Sequence, residues 1–302
     1  MKKAADNHTV VVSNVSKSFN STLVVNDISF DVEQGEILGL IGPNGAGKTT
    51  TIRMIMDIIK PDSGKIAILG EKLSENAKNS IGYLPEERGL YRKLKVIDSI
   101  VYLASLKGIT SHTARNRAEE LLERIDMLPH KNKKIEELSR GMGQFIQFLV
   151  TIIHDPQIII LDEPFAGLDP VNTELLKDLT FELRNQGKSI ILSTHRMNEV
   201  EELCDRVFMI HEGQSVLYGK LAEIKARYRG NSILVELEGE LPQLEGITEK
   251  HEYRDHVELF LDRDTSPRKI LEQLMDREVK INRFEVSTPS LNDIFIQLVG
   301  KE

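Results

Sequence analysis

Residues 42–49, GPNGAGKT, place three glycines before a lysine and a threonine, a spacing that suits phosphate binding. Glycines let the backbone curl so that successive N–H groups point into one concavity, which larger side chains would block. The segment follows the apolar run ILGLI and precedes a helical pattern, so the positive end of a helix dipole would strengthen binding. Lys48 can reach the outer phosphates of a nucleotide, and the Thr49 hydroxyl can bind magnesium. The candidate nucleotide-binding residues are Gly42, Pro43, Asn44, Gly45, Ala46, Gly47, Lys48, Thr49 and Thr50. A glycine-rich turn without a ligand is the alternative, which the complete match between a strand and a helix disfavours.

A second segment, residues 158–164, ends a hydrophobic run in two adjacent acids. In IIILDEP, Asp162 is placed to hold magnesium through water, and Glu163 can polarise an attacking water. Helix capping would explain one of these carboxylates but not the pair behind a buried strand. Nucleotide hydrolysis is therefore the predicted reaction.

The elements that would position these residues alternate along the chain up to about Leu221. Short β-rich runs are separated by longer helical patterns, which is typical of an α/β domain with a mainly parallel sheet. The runs are VVVS, ILGLIG, IIILD, SIILST and RVFMI. We therefore predict one α/β domain over residues 1–221.

In the remaining residues, 222–302, the sequence pattern changes to short strands with two helices, which predicts a small α+β domain. Its expected strands lie in SILVELEG, HVELFLD and VKINRFEVS. One helix is expected where Ser266 can cap and Pro267 can occupy the first turn. A last helix is expected from Ser290 to Gly300.

Composition limits the function classes. The chain has 302 residues, of which 40% are hydrophobic and 28% charged, as in ordinary globular proteins. A net charge of −8 disfavours general nucleic-acid binding, and no nucleic-acid partner is expected. The single cysteine, Cys204, excludes an intramolecular disulfide and is expected to be a buried residue within a helix. We expect no signal peptide, and no apolar stretch approaches the roughly 20 residues of a membrane-spanning helix. The expected location is cytosolic, with any membrane role by association.

Between the glycine-rich segment at 42–49 and the acidic segment at 158–164 lies LSRGMGQFIQFLVTIIHDP, residues 138–156. The strings LDEP, AGLDP and LSTH follow it. In this order the strings resemble an ATP-binding cassette (ABC) ATPase. GYLPEERGLY and STPSLNDIFIQLVG are further similar to ATPase subunits of bacterial sodium-exporter-type ABC systems, which carry a small C-terminal extension. The resemblance covers nearly the whole chain. It implies an N-terminal β-subdomain, a helical subdomain over about 84–154, and ATP with Mg²⁺ as ligands.

The resemblance also implies roles for individual residues. Phe19 would stack on adenine, although the family more often has tyrosine there and a plain core phenylalanine is the alternative. His195 would hydrogen-bond the γ-phosphate and orient water, so that the expected catalytic residues are Glu163, His195 and Lys48. Asp169 would couple two sites across a dimer interface. The signature loop that contacts ATP bound by the opposite subunit would comprise Ser139, Arg140, Gly141 and Met142.

Two residues depart from the family pattern. Glu86 stands where most ABC ATPases have glutamine; a carboxylate can still ligate magnesium, and nearby Arg88 could offset its repulsion of phosphate. Gly143 replaces a common glutamine and should weaken its helix by ~1 kcal/mol relative to alanine. Phe145 and Phe148 are expected to restore packing there.

The expected function is the ATPase subunit of a transporter, peripheral on the inner face of the cell membrane. Its partners would be a second ATPase subunit, either a copy or a paralogue, and multi-spanning permease subunits. A groove near 84–154 would receive a permease helix, although a solvated amphipathic helix is the simpler interpretation of the sequence alone. The alternatives are an ABC ATPase acting on nucleic acid or ribosomes, and a catalytically idle regulatory subunit. Sodium export is the cargo prediction, with small hydrophobic or antibiotic compounds as alternatives, and the C-terminal domain is expected to be structural or to stabilise a dimer.

Overall fold

Strands and helices alternate along the first part of the chain in the computed structural model, which describes residues 7–72, 74–87, 89–228, 232–239, 241–262, 264–277 and 279–300. The chain divides into two units, 1–220 and 221–302, so the division falls one residue before the predicted boundary. No helix among the described residues is long and apolar enough to cross a membrane.

The first unit contains ten strands and seven α-helices among its described residues. They are β1 (His8–Phe19), β2 (Thr22–Glu33), β3 (Ile37–Ile41), α1 (Lys48–Ile55), β4 (Ser63–Ile68), β5 (Glu71–Lys72), α2 (Glu75–Asn79), β6 (Ile81–Leu84), α3 (Val96–Ser105), α4 (Ser111–Arg124), α5 (Arg140–Ile152), β7 (Ile158–Asp162), α6 (Pro170–Asn185), β8 (Ser189–Thr194), α7 (Met197–Leu203), β9 (Arg206–His211) and β10 (Gln214–Lys220).

The core sheet has the strand order β10-β9-β3-β8-β7-β6. Its strands are parallel except for the antiparallel pair β9 and β10, which confirms the predicted α/β class with a mainly parallel sheet. Every residue of β3, β7 and β8 is buried, because strands covered on both faces need apolar side chains on both. Their carboxyl ends meet at one edge of the sheet, where Ile41 pairs with Thr194 and Asp162 pairs with Ser193.

A second, antiparallel sheet has the order β2-β1-β4-β5. Its buried residues, such as Val12, Ile28 and Phe30, join one apolar cluster with Leu40 and Ile160 of the core sheet. The run VVVS predicted only the start of β1, which continues to Phe19 with Val15 as its one further buried residue. This sheet corresponds to the expected N-terminal β-subdomain.

The segment between β6 and β7 is helical, with α3, α4 and α5 and two short 3₁₀ turns. Ser139 caps α5 by accepting a hydrogen bond from the Met142 N–H at 3.2 Å. Gly143 lies inside α5 and is buried, and Phe145 and Phe148 are buried beside it.

Cys204 is buried, as predicted, but it follows the last residue of α7 instead of lying within the helix. The chain leaves helical geometry there because Asp205 begins the approach to β9, donating its N–H to the Ile37 carbonyl at 2.9 Å. Burial raises the pKa of the Cys204 thiol, which disfavours the reactive thiolate.

The second unit comprises α8 (Leu221–Arg227), β11 (Ser232–Leu237), β12 (Ile247–Glu252), β13 (Val257–Leu261), α9 (Pro267–Asp276), β14 (Ile281–Val286) and α10 (Leu291–Val299). Its sheet is antiparallel, in the order β12-β13-β11-β14. Ser266 caps α9 with Pro267 in the first turn, and Ser290 caps α10, as the sequence predicted. β12 was not predicted, because its sequence ITEKHE is almost wholly exposed and lacks an apolar alternation.

Gly82 of β6 is a point of close approach between the sheet and α5. A Cβ atom there would lie 2.3 Å from the Thr151 carbonyl oxygen and 3.0 Å from a Pro156 ring carbon. Gly82→Ala should therefore lower the free energy of unfolding by about 1–3 kcal/mol, measured by urea denaturation. Gly89→Ala is the control, because a Cβ there meets no atom within 4 Å. Equal effects of the two substitutions would contradict this account.

Candidate active site

The loop between β3 and α1 forms a glycine-lined cradle. Gly42, Gly45 and Gly47 have φ values of 153°, 81° and 111°, in the region that favours glycine. A Cβ at Gly42 would lie 2.1 Å from the Ile210 carbonyl oxygen, so no larger residue fits. Gly47 is the N-cap of α1 and has no side chain to satisfy the first N–H groups of the helix. These N–H groups can therefore bind an anion.

Lys48 lies within this loop and its side chain is folded inward. It is 6% exposed, and its ammonium donates hydrogen bonds to the carbonyl oxygens of Gly42, at 2.8 Å, and Pro43, at 3.1 Å. Burial lowers the pKa of Lys48, and the nearby carboxylates of Glu163, Asp162 and Glu86 oppose that shift. The ammonium is thus held at the phosphate cradle by weak carbonyl partners that a phosphate could replace.

One pocket of about 380 Å³ brings nine of the predicted site residues together. It is lined by Val24, Asn44, Gly45, Gly47, Lys48, Thr49, Thr50, Glu86, Asp162 and Glu163. Larger pockets lie around Lys65 in the first unit and around Tyr253 in the second, and neither is lined by the glycine loop. Three carboxylates face one ammonium among the described lining residues, so the pocket has an excess of negative charge.

Asp162 is the most deeply buried acid of the pocket, at 1% exposure. Neither of its carboxylate oxygens has a hydrogen-bond partner among the described residues. Burial raises its pKa; Glu86 and Glu163 add to this, whereas the nearby Ser193 hydroxyl, which lies outside hydrogen-bond geometry, and Lys48 oppose it. A buried carboxylate without partners normally pairs with a cation or binds a metal.

These oxygen donors fit Mg²⁺, which prefers carboxylate, hydroxyl and phosphate oxygens. No cluster of three or more His, Cys, Asp or Glu suited to a metal occurs in the described part of the chain. A magnesium ion would thus be held by Asp162 and Thr49, with Glu86 in reach, and would need phosphate oxygens to complete its shell.

Glu163 is held by the end of β8. Its carboxylate accepts a hydrogen bond from the His195 backbone N–H at 3.1 Å, and the His195 Nδ1 lies 2.7 Å from the same oxygen. The Thr194 hydroxyl donates to the other oxygen at 3.3 Å. Glu163 has a φ of 50°, which is uncommon for a residue with a side chain, and its N–H is fixed by the Ser193 carbonyl at 2.9 Å. Such strained backbone often marks functional positions.

The remaining predicted residues do not line this pocket. Ser139 and Arg140 are exposed at the start of α5, with Gly141 and Met142 following them in its first turn. Asp169 caps α6 by accepting the Asn172 N–H at 3.0 Å, which lowers its pKa. Gly141 approaches the AGLDP segment, because a Cβ there would lie 3.4 Å from a methyl carbon of Leu168.

Phe19 and Arg88 complete the predicted set. Phe19 is 43% exposed at the end of β1, and the Lys17 ammonium lies 5.5 Å from its ring centre. It is not a buried core residue, so the alternative interpretation of this phenylalanine is wrong. Arg88, proposed to offset the charge of Glu86, lies outside the described residues.

Two buried glutamines of α5 were not identified from the sequence. Gln144 donates from Nε2 to the Pro164 carbonyl at 2.9 Å, directly after Glu163. Gln147 donates to the carbonyls of Pro85, at 3.1 Å, and Glu87, at 3.2 Å, on either side of Glu86. Their spacing of three residues on an otherwise apolar helix face is a signal that could have revealed them.

The glycine cradle at a strand-to-helix junction, with an acid at the end of another parallel strand of the same sheet, defines a P-loop nucleotide-binding protein. A family model described as "ABC transporter" matches residues 25–166. A second, described as "ATP-binding protein DrrA1-3-like, C-terminal domain", matches residues 219–299.

Comparison with known proteins agrees with these matches. The chain is 42% identical to the uncharacterised ABC transporter ATP-binding protein YhaQ of Bacillus subtilis over 294 residues, covering 96% of this chain and 98% of that protein. It is 33% identical over 296 residues to Nod factor export ATP-binding protein I of Rhizobium sp., covering 96% and 97%. A solved ATP-binding subunit of an ABC transporter superposes with a TM-score of 0.68 at 30% identity, covering 73% of this chain and 93% of that one. The chain belongs to the family of ABC transporter ATP-binding proteins and carries a single cassette.

The buried charge of Asp162 yields a test that needs no turnover. Because its folded pKa is raised above the ordinary value, ionisation costs stability, and this cost appears as pH rises above about 4. Asp162→Asn should therefore raise the Tm of the nucleotide-free, metal-free protein at pH 7, and the difference from wild type should shrink towards pH 4. The control is Asp178→Asn, an exposed acid of α6, which should leave the Tm nearly unchanged. A lower Tm for Asp162→Asn at pH 7 would contradict the assignment.

Proposed function

We propose that this chain is the ATP-hydrolysing subunit of an export-type ABC transporter, which drives transport through ATP-dependent pairing of two cassettes. The observation that carries this proposal is that one pocket is lined by all of Lys48, Thr49, Glu86, Asp162 and Glu163. The likeness of the chain to a Nod factor export ATP-binding protein supports export as the direction of transport.

The pocket residues and His195 have separate roles in hydrolysis. Thr49, Asp162 and Glu86 would hold Mg²⁺, which would supply positive charge to the phosphate oxygens. Lys48 exchanges its carbonyl partners for phosphate oxygens, and the N–H groups at the start of α1 bind the same anion. Glu163 accepts a proton from the attacking water. His195 orients the Glu163 carboxylate through its backbone N–H and its ring, and the same histidine contacts the γ-phosphate.

The exposed position of the signature loop supports action on a nucleotide bound by a second subunit. Ser139, Arg140, Gly141 and Met142 do not line the pocket of their own chain. The Ser139 hydroxyl and the first N–H groups of α5 lie at a helix N-terminus, which suits a γ-phosphate. Asp169, at the neighbouring AGLDP segment, couples the two sites, and Phe19 offers an exposed ring to adenine. Because one chain carries every group, a homodimer would have two complete sites.

An exposed apolar cluster supports docking to a membrane permease. Tyr91, Leu94, Tyr102 and Leu106 are all exposed, and the two tyrosine rings contact edge to face with centroids 5.4 Å apart. Tyr102 and Leu106 are spaced by one helical turn at the end of α3. The cluster follows the Glu86 loop in the chain, so a helix seated on it would be coupled to the ATP site.

The cargo is selected by the permease in this architecture. Sodium export is our prediction from the resemblance of GYLPEERGLY and the C-terminal segment. Small hydrophobic or antibiotic compounds are the alternative, and the C-terminal unit is assigned a structural or dimer-stabilising role.

Glu163→Gln tests the catalytic assignment. The amide retains an oxygen for the His195 N–H but is no base, so the rate of ATP hydrolysis should fall by about 10²–10⁴-fold while ATP is still bound. The variant should also accumulate as an ATP-bound dimer in size-exclusion chromatography. Glu87→Gln, an exposed acid outside the pocket, should retain wild-type turnover. Wild-type hydrolysis by Glu163→Gln would remove this residue from its role.

Leu106→Glu tests the transport assignment. Leu106 is 64% exposed, so the substitution should preserve folding and ATP binding but place a charge in the apolar cluster. We expect the tagged Glu163→Gln protein, purified with ATP and Mg²⁺ from solubilised membranes, to recover a multi-spanning membrane protein, and Leu106→Glu to abolish that recovery. Ile58→Glu, an exposed apolar residue elsewhere, is the matched control. Recovery of only soluble proteins or ribosomes, with ATP-driven dimerisation intact, would overturn the transport assignment and leave the ATPase chemistry standing.

A further inference from the structure

Gln147 connects α5 to the loop that carries Glu86. Its side chain is 4% exposed, and its single amide nitrogen donates to two backbone carbonyls, those of Pro85 and Glu87. These carbonyls belong to the residues immediately before and after Glu86. The amide therefore fixes the backbone on both sides of this carboxylate.

The oxygen of the same amide indicates that the two contacts of its nitrogen are not incidental. Gln147 Oε1 is buried and has no hydrogen-bond partner among the described residues. A buried, unsatisfied polar atom destabilises a fold, and an apolar side chain of the same size would avoid that cost. What the glutamine provides in return is its two donated hydrogen bonds.

The loop needs such a restraint because of its charge. Glu86 lines the pocket with Asp162 and Glu163, and like charges in one pocket repel each other. Without a cation this repulsion favours an outward position of the Glu86 side chain, which is exposed. Hydrogen bonds to both flanking carbonyls keep its backbone in place, so that the carboxylate is ready when a cation arrives.

α5 itself is fixed to β6 just before this loop. The Thr151 hydroxyl lies 2.9 Å from the Gln147 carbonyl of its own helix and 3.3 Å from the Tyr83 carbonyl of β6, and the helix backbone at Thr151 lies against Gly82. Gln144, one turn before Gln147, holds the Pro164 carbonyl beside Glu163. One helix thus restrains the backbone next to two of the three pocket acids, Glu86 and Glu163, and its first turn follows Ser139.

We infer that Gln147 is a positioning residue: it sets Glu86 against bound Mg²⁺ and ties that setting to the position of α5. The inference rests on the proposed function, because it takes Glu86 as a magnesium ligand. A displacement of α5 at its signature-loop end is then transmitted to the metal side of the chain's own site. The position of α5 thereby regulates the part of nucleotide binding that depends on Mg²⁺.

The test compares nucleotide affinity with and without the metal. Gln147→Met keeps the volume but removes both donors, and Glu86→Ala removes the ligand itself. The readout is binding of a fluorescent, non-hydrolysable ATP analogue, titrated with Mg²⁺ and, separately, measured in EDTA. Gln147→Met should raise the Mg²⁺ concentration for half-maximal effect by about tenfold, as loss of a group that orients a metal ligand does elsewhere, with affinity in EDTA unchanged.

Thr151→Val is the matched control, because it removes the hydroxyl contacts of the same helix to the Tyr83 and Gln147 backbone carbonyls but leaves both Gln147 side-chain donors and the carbonyls beside Glu86 in place. It should change neither the Mg²⁺ dependence nor the affinity in EDTA. Hydrogen exchange over residues 81–91 should be faster in Gln147→Met than in Thr151→Val. Gln147→Leu, which also removes both N–H donors and adds no charge, should behave like Gln147→Met and serves if that variant does not fold.

Two results would overturn the inference and leave the proposed function intact. One is an unchanged Mg²⁺ dependence in the Gln147 variants while Glu86→Ala shifts it. The other is an equal shift in Gln147→Met and Thr151→Val, which would reduce Gln147 to helix packing. An unchanged Mg²⁺ dependence in Glu86→Ala would instead remove Glu86 from the metal site, and the inference would fall with that part of the proposed function.

Discussion

Repulsion among the carboxylates of Glu86, Asp162 and Glu163 is the constraint around which the first unit is organised. Lys48 is the only cation among the described residues that line their pocket, and Asp162 is buried with no hydrogen-bond partner among them. A buried carboxylate is tolerated in proteins when a cation or metal compensates it. The pocket is therefore electrostatically incomplete by itself, and a nucleotide accompanied by a divalent cation has the charges that complete it.

The parallel sheet makes this concentration of charge possible. Since β3, β7 and β8 are neighbours running in one direction, the residues that follow each strand emerge at the same edge. The entirely buried strands hold that edge rigidly, so small polar groups can be positioned accurately. β8 then supplies Thr194 and His195 as partners for Glu163, whose unusual φ is stabilised by these contacts.

Much of this arrangement could be predicted from the sequence, because its signals are local. The spacing of glycines before Lys48 and the acids after an apolar run each report a short, continuous segment. The contacts that were missed join distant segments: Gln147 is about 60 residues from the loop that it holds, and Gln144 is 20 residues from Pro164. Likewise β12 is almost wholly exposed, and it is placed by its backbone pairing with β13 and by a ring contact between His251 and Phe260. Composition and periodicity carry no information about such pairings.

The replacement of a family glutamine by Glu86 is understandable in these terms. A neutral amide would enter the pocket with little repulsion from Asp162 and Glu163, whereas a carboxylate is repelled in the metal-free protein and attracted once a cation is bound. Because Coulomb energies change steeply at short distance, the carboxylate needs closer control of its position than the amide would. The buried donors of Gln147 supply that control from a helix whose first turn carries the residues that we assign to the signature loop. The Glu86 carboxylate is thus positioned by hydrogen bonds of Gln147, which form whether or not the cation is bound.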